Sequence, residues 1–526
     1  MSPDLSRASG ILLHVTSLPD PQPAQPGQRL NIHQPGSGDF GPTAFHFIDW
    51  LEHTAQHLWQ VLPLVPTGKG YSPYMSPASM AFNPMLVDLR ALADAGWLPH
   101  DFCERDEDIP VDHRGSPGEQ VDFPRVERFR LGALRLAART FLQGTDDPRR
   151  PDFEAFCQQE KDWLDDYALF MVLNERFDDL AWQEWPADLA QRKPKALAQI
   201  RKEARDDYLF WCFVQWNAGR QWQAVRQHAQ ARGVRIVGDL PIFIALNSAD
   251  CWANPQLFDL GEDLWPTAVA GVPPDYFAAD GQLWGNPLYR WPAHARENYA
   301  WWTRRMQRSL VMADAVRVDH FRGFAAYWSV PAGAATAREG QWQPGPGRAL
   351  FDAIAKAMGP LPLIAEDLGT LGPEVGELMA HTGLPGMAVL QFAFASDATN
   401  PYLPHNLITN KVVYTGTHDN DTTLGWFHST NERERARAQI YLKTDGREMN
   451  WELIHTASQS VANWAIYPMQ DVLGLGSEAR MNRPGDQQNC WGWRFAWQQL
   501  HEWQTRRLRA ITQVHGRDEP AWSASR

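Results

Sequence analysis

Eight short apolar runs recur along the chain, each closing on polar residues, and their number restricts the fold more than any other feature: residues 11–17, 58–64, 234–244, 313–321, 362–367, 387–394, 411–418 and 464–471. Runs that are apolar on both faces fit strands covered on both sides, as in parallel sheets. Helical patterns, such as residues 43–55 and 301–309, separate them. Eight strand–helix units predict an α/β fold, a (β/α)8 TIM barrel, with its active site at the C-terminal ends of the strands. Periodicity alone does not separate this from a doubly wound sheet.

Two intervals are too long for simple crossovers. Residues 85–233, after the second strand, carry strong helical patterns at 124–142, 162–177 and 208–231, so a mostly helical inserted subdomain is expected there. Residues 247–299, after the third, are rich in Pro, Gly, Asp and Trp, the composition of a binding loop. Residues 20–38 carry a Pro and Gln excess and are expected to form a flexible surface loop. Beyond residue 471 the pattern is helical with a polar tail, with no sign of a C-terminal β-domain. The expected organisation is one catalytic barrel over 1–526 with the two insertions.

Composition removes several function classes. The net charge of −13 offers no basic footprint for nucleic acid. No run reaches the roughly 18 uninterrupted apolar residues of a membrane span. The five cysteines are scattered and lack C-x-x-C spacing, which argues against a disulfide framework and a zinc site. The first ten residues lack an apolar signal core, so a cytoplasmic location is expected. The 25 Trp supply flat apolar faces that can stack on sugars, although most buried Trp fill cores.

Carboxylates then stand where barrel chemistry needs them. Asp319 ends the run AVRVD at 315–319, Glu366 follows LIA at 363–365, and Asp419 follows TGTH at 415–418. Strand residues alternate faces, so Arg317 and Asp319 share one side, and the guanidinium is expected to hold Asp319 ionised. Cutting a glycosidic bond with retention needs one carboxylate nucleophile and one protonated acid, about 5–5.5 Å apart. Asp319 and Glu366 could supply that pair. Asp419 could stabilise the cationic transition state through sugar hydroxyls, with His418 beside it. Taken singly, each acid could instead be a buried ion-pair partner or a helix N-cap.

The segments carrying these residues resemble one family. SGILLH at 9–14, SPY at 72–74, GDLPI at 238–242, GVPPDYF at 271–277, WGNPLY at 284–289, RVDHFRG at 317–323, AEDLG at 365–369, THD at 417–419 and MNRPG at 481–485 occur in order over nearly the whole chain. Together they are similar to the 4-α-glucanotransferases (amylomaltases), related to α-amylase-like glycosidases. The chain departs from many relatives at Val15 and Asp20, where they carry Pro and Gly.

The resemblance implies Asp319 as nucleophile, Glu366 as acid/base and Asp419 as transition-state stabiliser. It implies Asp239, Arg317, His320 and His418 around the cleavage site, Tyr74 stacked on a sugar, and Ser72, Trp284 and Asn482 against neighbouring sugars. Tyr276 and Phe277 would lie on a loop covering the cleft. The implied substrates are malto-oligosaccharides, glucose and other α-1,4-glucans, with no metal and no organic cofactor. The same three acids would also serve a retaining glucan hydrolase, and a non-catalytic glucan-binding protein on the same barrel is a further reading.

Overall fold

The computed structural model describes residues 6–20, 28–108, 120–144, 146–274, 279–369, 371–486 and 490–519. In chain order the strands among them are β1 (Ala8–Leu12), β2 (Leu58–Gln60), β3 (Arg235–Leu240), β4 (Ala268–Val272), β5 (Gln282–Pro287), β6 (Ala315–Val318), β7 (Ala326–Pro331), β8 (Gln341–Pro344), β9 (Leu363–Ala365), β10 (Gly386–Val389), β11 (Lys411–Tyr414) and β12 (Trp464–Pro468). Eight of these close into a barrel in the order β1-β2-β3-β6-β9-β10-β11-β12, with β12 returning to β1. Every barrel pairing is parallel. The chain is therefore a (β/α)8 barrel, and each of the eight apolar runs contributes one barrel strand.

The first run is displaced. β1 begins at Ala8, and residues 15–17 of the expected strand form a 3-10 turn instead. Close packing explains why β1 holds a glycine: a Cβ at Gly10 would sit 2.1 Å from the Leu58 carbonyl oxygen of the paired strand. The remaining strands, β4, β5, β7 and β8, make a separate antiparallel sheet in the order β5-β4-β7-β8. β4 and β5 come from the connection after β3, and β7 and β8 from the one after β6. Residues 247–299, loop-like in composition, thus hold half of a sheet whose other half lies elsewhere in the chain.

Between β2 and β3 the regular elements among the described residues are all helices, including Phe123–Gln143, Lys161–Arg176 and Arg205–Ala231. Asp122 caps the first of these by accepting from the Arg125 N–H, and Pro124 occupies the first turn, where no N–H is needed. Its buried residues Val126, Phe129, Ala133, Ala137 and Phe141 recur every three or four positions, forming the stripe that packs inward. Trp59, Trp182, Trp302 and Trp464 have no exposed surface, so much of the tryptophan load is core.

Arg7 and Arg517 meet at the barrel's closing seam. Arg517 donates from Nη1 to the carbonyls of Ala8 and Asn463, from Nε to Ser458 and from Nη2 to Ala462, each at 2.8 Å. Arg7 donates to Ser458 and Ser460 at 2.8 Å and to His515 at 2.9 Å. Of these carbonyls, that of Ser458 lies in the last turn of the helix Met449–Gln459 and those of Ser460, Ala462 and Asn463 just beyond it, where the dipole favours cations. Among the described residues no helix is long and apolar enough to cross a membrane.

Candidate active site

Barrel register sets the centre of the site. Asp239 of β3 lies directly across from Arg317 of β6, so their side chains share one face. Arg317 Nη1 donates to both oxygens of Asp239 at 2.8 and 2.7 Å, and Nη2 donates to Asp319 Oδ1 at 2.8 Å. One guanidinium thus orients two carboxylates, but they differ in access: the Asp239 side chain is 0% exposed and Asp319 is 25% exposed. Only Asp319 can present an oxygen to a substrate.

Glu366, just past β9, is held by backbone. Its Oε2 accepts from the His320 N–H at 2.8 Å and its Oε1 from the Leu368 N–H at 3.1 Å. Burial pushes its pKa up to about 8; the charge of Asp319 adds to this and Arg317 opposes it. At neutral pH Glu366 therefore holds a proton. His320 itself adopts φ +50°, uncommon for a residue with a side chain and typical of functional turns. Burial lowers its pKa to about 4, so its ring is neutral.

The rest of the cleft is aromatic and polar. Tyr74 Oη donates to Asp239 Oδ2 at 2.8 Å, and burial with Asp239 nearby holds the phenol well above its usual pKa. Its ring stacks on His418 at 5.2 Å and 12°. His418 Nε2 lies 3.3 Å from Asp419 Oδ1, to which Asn482 Nδ2 donates at 2.6 Å. Ser72 Oγ accepts from the Tyr74 N–H at 3.3 Å, bracing the turn that presents the ring. Trp284 stands edge-on to His320 at 4.9 Å and 82°.

Asp319, Glu366, Asp419, Asp239, Arg317, His320, His418, Tyr74, Ser72, Trp284 and Asn482 thus form one connected cluster. Tyr276 and Phe277 lie outside the described residues. Three participants escape sequence reasoning. His14 follows β1 with its pKa pushed down to about 3 by burial and by His418 alongside. Trp491 packs on Tyr74 at 5.6 Å and on His418 at 6.1 Å. Arg480 Nη2 donates to the Asp419 carbonyl at 3.0 Å. His14 closes the SGILLH motif and could have been singled out; nothing local marks Trp491 or Arg480 among the other tryptophans and arginines. Asp20, one of the family departures, is paired with Arg494 at 3.2 Å. Among the described residues, no group of three or more His, Cys, Asp or Glu side chains could hold a metal ion.

A closed parallel barrel with an arginine-held carboxylate beside a proton-holding carboxyl, ringed by aromatics, defines a class: barrel enzymes that act on glycosidic bonds with paired carboxyl groups. A profile of the 4-α-glucanotransferase family matches residues 29–500. A 4-α-glucanotransferase from Synechocystis sp. is 45% identical over 515 residues, covering 97% of this chain and 98% of the relative. One from Thermus thermophilus is 44% identical over 519 residues, covering 97% and 99%. The solved amylomaltase from Streptococcus agalactiae, in complex with acarbose, superposes with a TM-score of 0.88 at 36% identity, covering 97% of this chain and 99% of that one. The chain belongs to the 4-α-glucanotransferase family.

Proposed function

We propose that this chain moves a segment of an α-1,4-glucan to the 4-hydroxyl of glucose or another glucan, by double displacement with retention. Asp319 attacks C1 of the donor while Glu366 gives its proton to the departing glycosidic oxygen. The acceptor hydroxyl then returns a proton to Glu366 and attacks C1, and the bond to Asp319 breaks. The observation that carries this reading is the different setting of two neighbouring carboxyl groups: Asp319 is half-exposed and ion-paired to Arg317, whereas Glu366 is buried on two backbone N–H groups, where burial pushes its pKa up to about 8.

Asp419, oriented by Asn482 and His418, would bind hydroxyls of the reacting sugar. Tyr74 would stack on that sugar with its ring fixed by Asp239 and His418, and Trp284 and Ser72 would meet its neighbours. Asp239, Arg317 and His320 would keep the acids aimed. Tyr276 and Phe277 would cover the acceptor. Water, at about 55 M, loses to a sugar only if the sugar is held, and positioning can supply effective molarities of ~10⁵ M. Residues 85–233 would form a mostly helical subdomain inserted after β2. The five free thiols suit a reducing cytoplasm.

Pure maltotriose tests the reading. Glucose and longer glucans should appear with a nearly constant total of reducing ends, and added glucose should speed turnover as acceptor. A rise in reducing ends in step with bond cleavage would make the protein a hydrolase.

A further inference from the structure

Behind Glu366 the barrel wall is thin in backbone bonding. β9 and β10 share a single register pair, Ala365 with Gly386, whereas β10 and β11 share four. The next residue after Glu366 fills the gap with its side chain. Asp367 Oδ1 accepts from the Met387 N–H of β10 at 2.6 Å, and Oδ2 accepts from Lys411 Nζ of β11 at 2.6 Å. Lys411 Nζ also donates to the Met387 carbonyl at 3.4 Å. The Asp367 side chain is 8% exposed and that of Lys411 23%, so the ion pair lies largely within the wall. Gly386 leaves room for it: a Cβ there would lie 2.2 Å from Asp367 Oδ2 and 2.5 Å from Lys411 Nζ.

We propose that the Asp367–Lys411 pair is a positioning device for Glu366, tying three adjacent strands together directly behind the proton donor. Among the described residues the Glu366 carboxyl bonds only to the N–H groups of His320 and Leu368, so its aim depends on where the backbone at 365–368 sits, which the bonds of the Glu366 N–H to the Val318 carbonyl and of the Phe321 N–H to the Glu366 carbonyl fix from the near side. Asp367 fixes that backbone from the far side. A shift of about 1 Å at a catalytic group can cost 10²-fold in rate. Asp367 and Lys411 bond to each other and to the backbone of Met387, and act on Glu366 through the chain. The inference rests on Glu366 being the acid.

Leaving-group dependence separates positioning from mere folding. With a maltosyl fluoride donor, the C1–F bond breaks, fluoride departs as the anion and the Asp319–C1 bond forms, so glycosylation needs no proton from Glu366. D367A should lose about 10²-fold in kcat on maltotriose with little change in KM. D367N, which keeps an acceptor for Met387, and K411M should each lose roughly tenfold, on the same scale of positioning losses. All three should still give a rapid burst of fluoride near the wild-type rate in the first turnover. If the folded variants lost rate equally on both donors, or kept wild-type kcat on maltotriose, the positioning role would be overturned. E366Q serves as reference. If it too lost both donors equally, the assignment of the acid itself would fall; if it discriminated while the Asp367 and Lys411 variants did not, only this inference would.

Discussion

Glu366 shows how one residue's surroundings set a pH range. Its folded-state pKa is raised from 4.5 to about 8, mainly by burial, so its proton is present at neutrality and lost as the pH climbs through 8. The kcat/KM of the free enzyme should fall on the alkaline side with a midpoint near 8, and E366Q should lack that limb. The same shift affects stability. A group that binds its proton more tightly when folded contributes fully below its unfolded pKa and loses that contribution as the pH rises through the folded one. E366Q, which cannot ionise, should therefore gain melting temperature relative to the parent at pH 9 and show no such gain at pH 4. Equal differences at the two pH values would count against a raised pKa. Much at this scale was legible beforehand: the strand pattern put Arg317 and Asp319 on one face, as observed. The division of labour was not, because Arg317 also holds Asp239 across the barrel. Which carboxylate stays buried depends on register between strands far apart in sequence.

The elements were readable where apolar runs are buried on both faces and unreadable where strands are half-exposed. The eight runs became the eight barrel strands because burial on both faces leaves a dense local signal. β4, β5, β7 and β8 left none: they are mostly half-exposed, include Gly and Pro, and are joined into one sheet by β4 meeting β7 across the whole of β6. Glycines at this scale differ by what surrounds them. At Gly10 an added methyl would run into the Leu58 backbone, so Gly10→Ala should cost about 3 kcal/mol or more through overpacking of the β1–β2 seam. In the helix Phe123–Gln143, Gly132 has nothing within 4 Å, so Gly132→Ala should add about 0.5–1 kcal/mol by helix propensity. Denaturant titration of both variants checks the pair, and loss of stability at Gly132 or none at Gly10 would contradict the packing described.

For the whole molecule, closure is the decisive event, and Arg517 marks where it is secured. Its guanidinium is buried and still cationic, with burial lowering its pKa to about 10. Arg517→Met should strand several carbonyls and cost about 3 kcal/mol or more, while the protein that remains folded keeps its kcat on maltotriose. A parallel fall in kcat would place the seam nearer the chemistry than the structure does. The contacts involved span the chain from Ala8 to Arg517, and such long-range closure is slow. During synthesis β1 is made well before β12, so its second edge must stay open until β12 follows, and its arginine clasp until Arg517 has been added. Over that interval the nascent chain carries a bare strand edge, the kind of surface that pairs with other chains unless it is sheltered.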